Sequence, residues 1–139
     1  MIDVIDNFRG RYEFLSNFYF HNIAWETPPP TADGEIIIYP TVEHAFQAAK
    51  THNLGLRLKL SKMTSPMDAK KFGQELALRP RWDEYWRGRT MRELIGAKFD
   101  NGTAMAQRLI DTGDAVLVEG NTWHDNYWGN CTCGRPACH

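Results

Sequence analysis

The sequence predicts a mainly α, compact single-domain helical fold with a few short β-strands. Start and stop signals at Thr41, Ser65-Pro66, Arg79-Pro80 and Gly113 divide the middle of the chain into segments of ordinary helical length. The β-prone runs, at residues 22–26, 35–39 and 115–118, are short and scattered. No internal repeat, low-complexity tract or Ser/Gly-rich linker marks a boundary, and 139 residues are enough for one domain with its own core.

In chain order, residues 8–20 read FRGRYEFLSNFYF, where aromatic and small polar residues mix without a helical or strand period. An ordered loop with short extended pieces is expected. Arg9 and Arg11 flank Gly10, so a guanidinium could reach a phosphate past a backbone with no side chain in the way. A pair of solvated surface arginines explains the pattern equally well. Residues 22–26 and 35–39 read as a hairpin whose tip is stiffened by Pro28, Pro29 and Pro30 and turned by Asp33-Gly34.

Thr41 then reads as the N-cap of a helix running from Val42 to about Lys50. Val42, Ala45, Phe46 and Ala49 supply a packing face, while Glu43, Gln47 and Lys50 recur at spacings that put them on another stripe. Glu43 falls in the first turn, where free amides and the helix dipole favour its ionised form, which suits a base or charge stabiliser. Acids are also favoured there for helix stability alone.

Ser65, Pro66 and Asp68 open a helix to about Leu76. Residues 82–99 read as helical again, bent or broken at Gly88, with Thr90 and Glu93 as a second capping box. Residues 102–112 form a last helix closed by Gly113. The apolar run at 115–118 reads as a buried strand, or the extended approach to one. It opens into EGNTWHDNYWG, residues 119–129, too polar for a core and too aromatic for a linker, as a segment lining a site would be. Core aromatics with turn-forming Asp125 and Asn126 are the plainer account.

Lysine and arginine total 16 against 17 acids, so no global basic field drives nucleic-acid binding, and such a substrate would have to be held locally. The start of the chain has no basic leader with an apolar stretch, and no apolar run is long enough to span a membrane, so a cytoplasmic protein is expected. Cys131, Cys133 and Cys138 crowd the C-terminal end, unlike a disulfide framework.

The motifs FRGRYEFLSNFY, YPTVEHAFQAAK, MRELIGAKF and TGDAVLVEGNTWHDNYWG together resemble the NADAR family, also called YbiA-like proteins. They stand in the family's order and cover most of the chain. The resemblance implies a compact helical domain spanning residues 1–139 and an N-glycosidase. Its substrate would be a small nucleotide-like molecule, such as a ribosylaminopyrimidine phosphate of riboflavin synthesis, or ADP-ribosylated guanine in nucleic acid. Within the matched motifs, Asn17, Phe18, His44, Gln47 and Lys98 are substrate-binding candidates. Family members commonly continue past the tryptophan-glycine segment into a glycine-containing turn and an amphipathic helix, whereas CTCGRPACH follows here. That C-terminal helix is therefore expected to be missing or replaced.

Breaking a glycosidic C–N bond passes through an oxocarbenium-like state that needs negative charge near the anomeric carbon and a base for water. Glu43 and Asp125 are the candidate pair, with partial burial beside Trp123 and His124 able to raise the Asp125 pKa. A desolvated lysine could instead attack the opened sugar to form a Schiff base; Lys50, sharing the stripe of Glu43, is preferred to Lys98, which at a helix end can simply stabilise the dipole. Arg9 would hold phosphate, Trp123 or Trp128 would stack on the ring, and Glu119 and Asn121 would bond ribose hydroxyls. No cofactor is expected. Two other readings remain open: a non-catalytic ADP-ribose or NAD reader, and a zinc-dependent interaction module on Cys131, Cys133, Cys138 and His139, whose C-x-C and C-H spacings match common zinc sites poorly.

Overall fold

In the structure, a computed structural model, residues 3–28 and 35–118 are described. Their elements are β1 (Val4–Ile5), a 3-10 helix (Gly10–Leu15), β2 (Ile23–Glu26), β3 (Ile36–Tyr39), α1 (Val42–Ala48), α2 (Leu54–Ser61), α3 (Pro66–Gln74), a π-helical turn (Trp82–Trp86), α4 (Arg87–Lys98), α5 (Ala104–Ile110) and β4 (Val116–Leu117). The fold is mainly helical with short strands. The chain separates into two compact units, residues 17–106 and residues 1–16 with 107–139.

In the larger unit, β2 and β3 pair antiparallel, Ile23 with Tyr39 and Glu26 with Ile36, as the expected hairpin. Ile37 and Tyr39 turn inward and Ile36 and Ile38 outward, the alternation a half-buried strand requires. The inward side packs with α1, where Val42, Ala45, Phe46 and Ala49 join Leu60, Ala69, Met91 and Leu94 in one hydrophobic core. Phe46 and Trp82 meet with ring centroids 5.3 Å apart.

Several expectations need correction. α2 falls in a stretch whose sequence announces no helix: apolar and basic residues are mixed around it and Gly55 stands in its first turn, so no clear apolar stripe forms, yet Asn53 caps it by accepting from the Leu56 N–H at 3.0 Å. The 82–99 stretch is not broken at Gly88; its irregularity is the π turn before Arg87. Thr90 is not a cap but a buried mid-helix residue, and Glu93 accepts from Arg89 Nε at 2.8 Å. α3 forms as expected, with Ser65 Oγ accepting from the N–H groups of Met67 and Asp68.

In the smaller unit, residues 10–15 wind into a 3-10 helix where a loop with extended pieces was expected. Gly10 enters it at φ +57, a conformation that glycine adopts without steric cost. The run at 115–118 does contain a strand, but not a buried one. β4 pairs parallel with β1, and Val116 and Leu117 are exposed. Pairing with a two-residue strand satisfies backbone groups without covering side chains. Gly113 closes α5 at φ +62, its N–H bonded to the Ile110 carbonyl at 2.9 Å.

Candidate functional site

Helix α1 carries Glu43 and Gln47, Lys50 follows just beyond its end, and every residue of α1 is buried, so its polar stripe faces protein as fully as its apolar one. Thr41 starts it: its Oγ1 accepts from the His44 N–H at 3.1 Å and lies 2.7 Å from His44 Nδ1. His44 Nε2 stands 2.9 Å from the Met63 carbonyl oxygen. A carbonyl only accepts, so Nε2 holds the proton and Nδ1 accepts from the Thr41 hydroxyl. Burial pushes the His44 pKa below its ordinary 6.5, opposed by the Met63 carbonyl. His44, a sequence candidate for substrate binding, thus has both ring nitrogens engaged within the protein, where it ties α1 to the segment after α2.

Asn17 reaches the same helix. Its backbone carbonyl accepts from the Glu43 N–H at 3.1 Å, and its Nδ2 lies 3.7 Å from Met91 Sδ. The structure therefore brings together Asn17 and Glu43, which lie in separate sequence motifs. Phe18, beside Asn17, is half-buried.

Glu43 and Gln47 are joined directly: Gln47 Nε2 donates to Glu43 Oε1 at 2.7 Å, with both residues buried. The helix expected to reach about Lys50 ends at Ala48, and Lys50 stands in the turn that follows, half-buried, its Nζ 6.0 Å from the Phe46 ring centroid. Burial pushes the Lys50 pKa below 10.5; the Glu43 carboxylate opposes that shift, Lys70 and Arg87 deepen it, and Asp83 offsets it. A buried carboxylate and amide thus stand within electrostatic range of a half-buried lysine eased towards its neutral form. This set can stabilise positive charge, move a proton and supply a nucleophilic amine.

Lys98 is in the last turn of α4, the helix end at which a lysine complements the dipole, and it is buried there. It is 1% exposed, with Nζ 5.7 Å from the Tyr19 ring centroid and 5.2 Å from that of Phe99. Arg9 is exposed at the start of the 3-10 helix, in the smaller unit. Glu119, Asn121, Trp123, Asp125, Trp128 and the zinc candidates Cys131, Cys133, Cys138 and His139 lie outside the described residues. Among the described residues no group of three or more His, Cys, Asp or Glu side chains could hold a metal ion, and no helix is long and apolar enough to cross a membrane.

Sequence reasoning missed Lys70, Asp83 and Arg87, whose charges act on Lys50. Arg87 Nη1 and Asp83 Oδ1 are 3.3 Å apart, and Asp83 also lines a cleft of about 360 Å³ with Leu78, Arg79, Arg81, Trp82 and Glu84. No spacing rule links residues 50, 70, 83 and 87, because their meeting depends on how three helical segments pack. Gly73 was also missed, although an isolated glycine within a helical pattern is a signal of close packing.

The NADAR domain family model matches residues 6–136. The chain belongs to the NADAR family. Among NADAR relatives, the N-glycosidase YbiA of Escherichia coli is 35% identical over 140 residues, covering 97% of this chain and 81% of the relative. A riboflavin biosynthesis protein of Vibrio vulnificus is 31% identical over 118 residues, covering 84% of this chain and 29% of that longer protein. The solved NMR structure of Escherichia coli YbiA matches with a TM-score of 0.69 and 33% identity, over 95% of this chain and 75% of that one. The mainly helical architecture is therefore the NADAR one.

Proposed function

We propose that the chain is an N-glycosidase, a hydrolase that cuts the C–N glycosidic bond of a ribosylated nucleotide-like substrate, and that Glu43 and Lys50 carry the reaction. The observation that supports these roles is the electrostatic pairing at the end of α1, where the buried Glu43 carboxylate, bonded by Gln47 at 2.7 Å, acts on a Lys50 amine that desolvation eases towards neutrality. The N-glycosidase name of the Escherichia coli relative supports the reaction class.

In this reading the Glu43 charge opposes the positive charge that develops on the sugar as the base leaves. Two routes complete the reaction. In the first, water activated by a carboxylate adds to the anomeric carbon, with Asp125 the second acid. In the second, the neutral Lys50 amine forms a bond to that carbon while the glycosidic C–N bond breaks, and its proton passes to the leaving base. The adduct opens to a Schiff base, which water hydrolyses to free sugar and lysine. The lowered Lys50 pKa favours the second route. Arg9, Asn17, Phe18, Lys98, Glu119, Asn121, Trp123 and Trp128 remain the proposed substrate contacts.

The riboflavin biosynthesis name of the Vibrio vulnificus relative favours a ribosylaminopyrimidine phosphate as substrate; guanine carrying ADP-ribose in an oligonucleotide is the second candidate. Incubating the protein with both, without added metal, and identifying products by mass spectrometry tests the proposal. Release of the base with liberation of ribose phosphate or ADP-ribose is expected. Binding of either substrate without any product would favour the non-catalytic reader instead.

A further inference from the structure

Gly73 lies in the last turn of α3, where a glycine costs about 1 kcal/mol of helix stability relative to alanine. Its φ is not in the left-handed region, so backbone conformation does not require glycine. Space does. A Cβ at residue 73 would stand 1.8 Å from Gln47 Oε1, 2.6 Å from Gln47 Cδ and 3.0 Å from Gln47 Cβ. The glycine is therefore matched to one side chain, and that side chain is the one bonded to Glu43.

The orientation of the amide follows from chemistry. A carboxylate oxygen at 2.7 Å needs a donor, so Nε2 faces Glu43 and Oε1 faces Gly73. Oε1 is buried and has no hydrogen-bond partner among the described residues. Among the described residues no competing donor draws the amide elsewhere. Its place is fixed by the Glu43 bond at one end and by the bare Cα of Gly73 at the other.

We infer that Gly73 is a positioning residue for the reaction: by leaving room for the Gln47 amide, it holds the Glu43 carboxylate in its working orientation. This rests on the proposed role of Glu43. Any side chain at residue 73 must displace Gln47, and the displaced amide can no longer donate to Oε1 at its present length. Glu43 would then lose the donor that orients Oε1. The consequence belongs to turnover more than to substrate affinity, because the orientation of the charge matters most in the transition state.

The test compares Gly73→Ala, Gln47→Ala and the double variant on whichever of the two substrates above the parental protein cleaves, with Glu43→Gln in parallel. Gly73→Ala is expected to lower kcat about tenfold to a hundredfold with KM changed much less. Gln47→Ala removes the atoms at 1.8 and 2.6 Å and leaves only the tight Cβ contact at 3.0 Å. In that background Gly73→Ala should cost almost nothing further in kcat, and the melting temperature it lowers alone should be largely recovered. Parental kcat for Gly73→Ala, or losses that simply add in the double variant, would overturn the inference. Should Glu43→Gln keep parental turnover, the role given to Glu43 fails and the inference falls with it; should Glu43→Gln be inactive while Gly73→Ala is parental, only the inference fails.

Discussion

Gln47 donates a 2.7 Å hydrogen bond from Nε2 to Oε1 of Glu43, four residues earlier on the same helix, and both side chains are buried. Burying a carboxylate costs desolvation, so its presence asks for a use. Glu43→Gln retains the size of the side chain and an oxygen able to accept from Gln47. Turnover should fall about a hundredfold or more, with substrate affinity little altered, when steady-state kinetics and equilibrium binding are compared. Near-parental kcat would remove Glu43 from the mechanism.

Lys50 offers a pH-dependent signature. Its pKa lies below 10.5 because burial disfavours the ammonium, and the Glu43 carboxylate partly restores that form. The reactive amine should therefore appear as pH rises through a midpoint below 10.5. Without the Glu43 charge in Glu43→Gln, that midpoint should move lower still. Borohydride trapping of the substrate adduct as a function of pH reads both, with Lys50→Met as the variant that must not be labelled. Labelling of Lys50→Met, or no labelling of the parental protein, would leave the water route.

His44 predicts an acid-sensitive fold. Its folded pKa is held below 6.5 by burial, so the unfolded chain binds the proton more readily. The stability due to neutral His44 is fully present above pH 6.5 and is lost as pH falls from there through the depressed folded value. Urea denaturation from pH 7.5 to 4.5 should show a decline that is shallower in His44→Gln. Equal pH slopes in the two proteins would refute the assignment.

Arg79 is a structural cation. Its Cζ sits 4.1 Å from the Trp86 ring centroid, and Nη1 donates to the Pro28 carbonyl at 2.7 Å, with the Ala49 carbonyl at 3.5 Å. Arg79→Met keeps an apolar stem but leaves the Pro28 carbonyl without its charged donor. A loss of about 1.5–3 kcal/mol is expected in chemical denaturation, the range for a hydrogen bond to a charged group. An unchanged unfolding midpoint would contradict it.

The sequence by itself determined the elements whose causes are local. Thr41 and Ser65 cap helices because a side-chain oxygen meets an amide two or three residues on, Gly113 ends α5 because it accepts a positive φ, and residues 23–26 and 36–39 pair as neighbours in the chain. The pairing of Glu43 with Gln47 was legible for the same reason, since four-residue spacing puts them on one face of α1. The tertiary structure decided what those residues meet. Helical periodicity gives a face but not its cover, so it could not say that the whole of α1 is buried, that Asn17 holds the Glu43 amide, or that Gly73 closes on Gln47. Local pattern also failed where packing overrode it: α2 forms without a clear apolar stripe, Thr90 is buried inside α4, and the apolar residues of β4 are exposed because a two-residue parallel pairing covers backbone and not side chains. Lys50 illustrates the division most directly. Its place just past the end of α1 follows from the local sequence, whereas the lowered pKa follows from desolvation and from Lys70 and Arg87, against the opposing charge of Asp83, groups that only folding brings near.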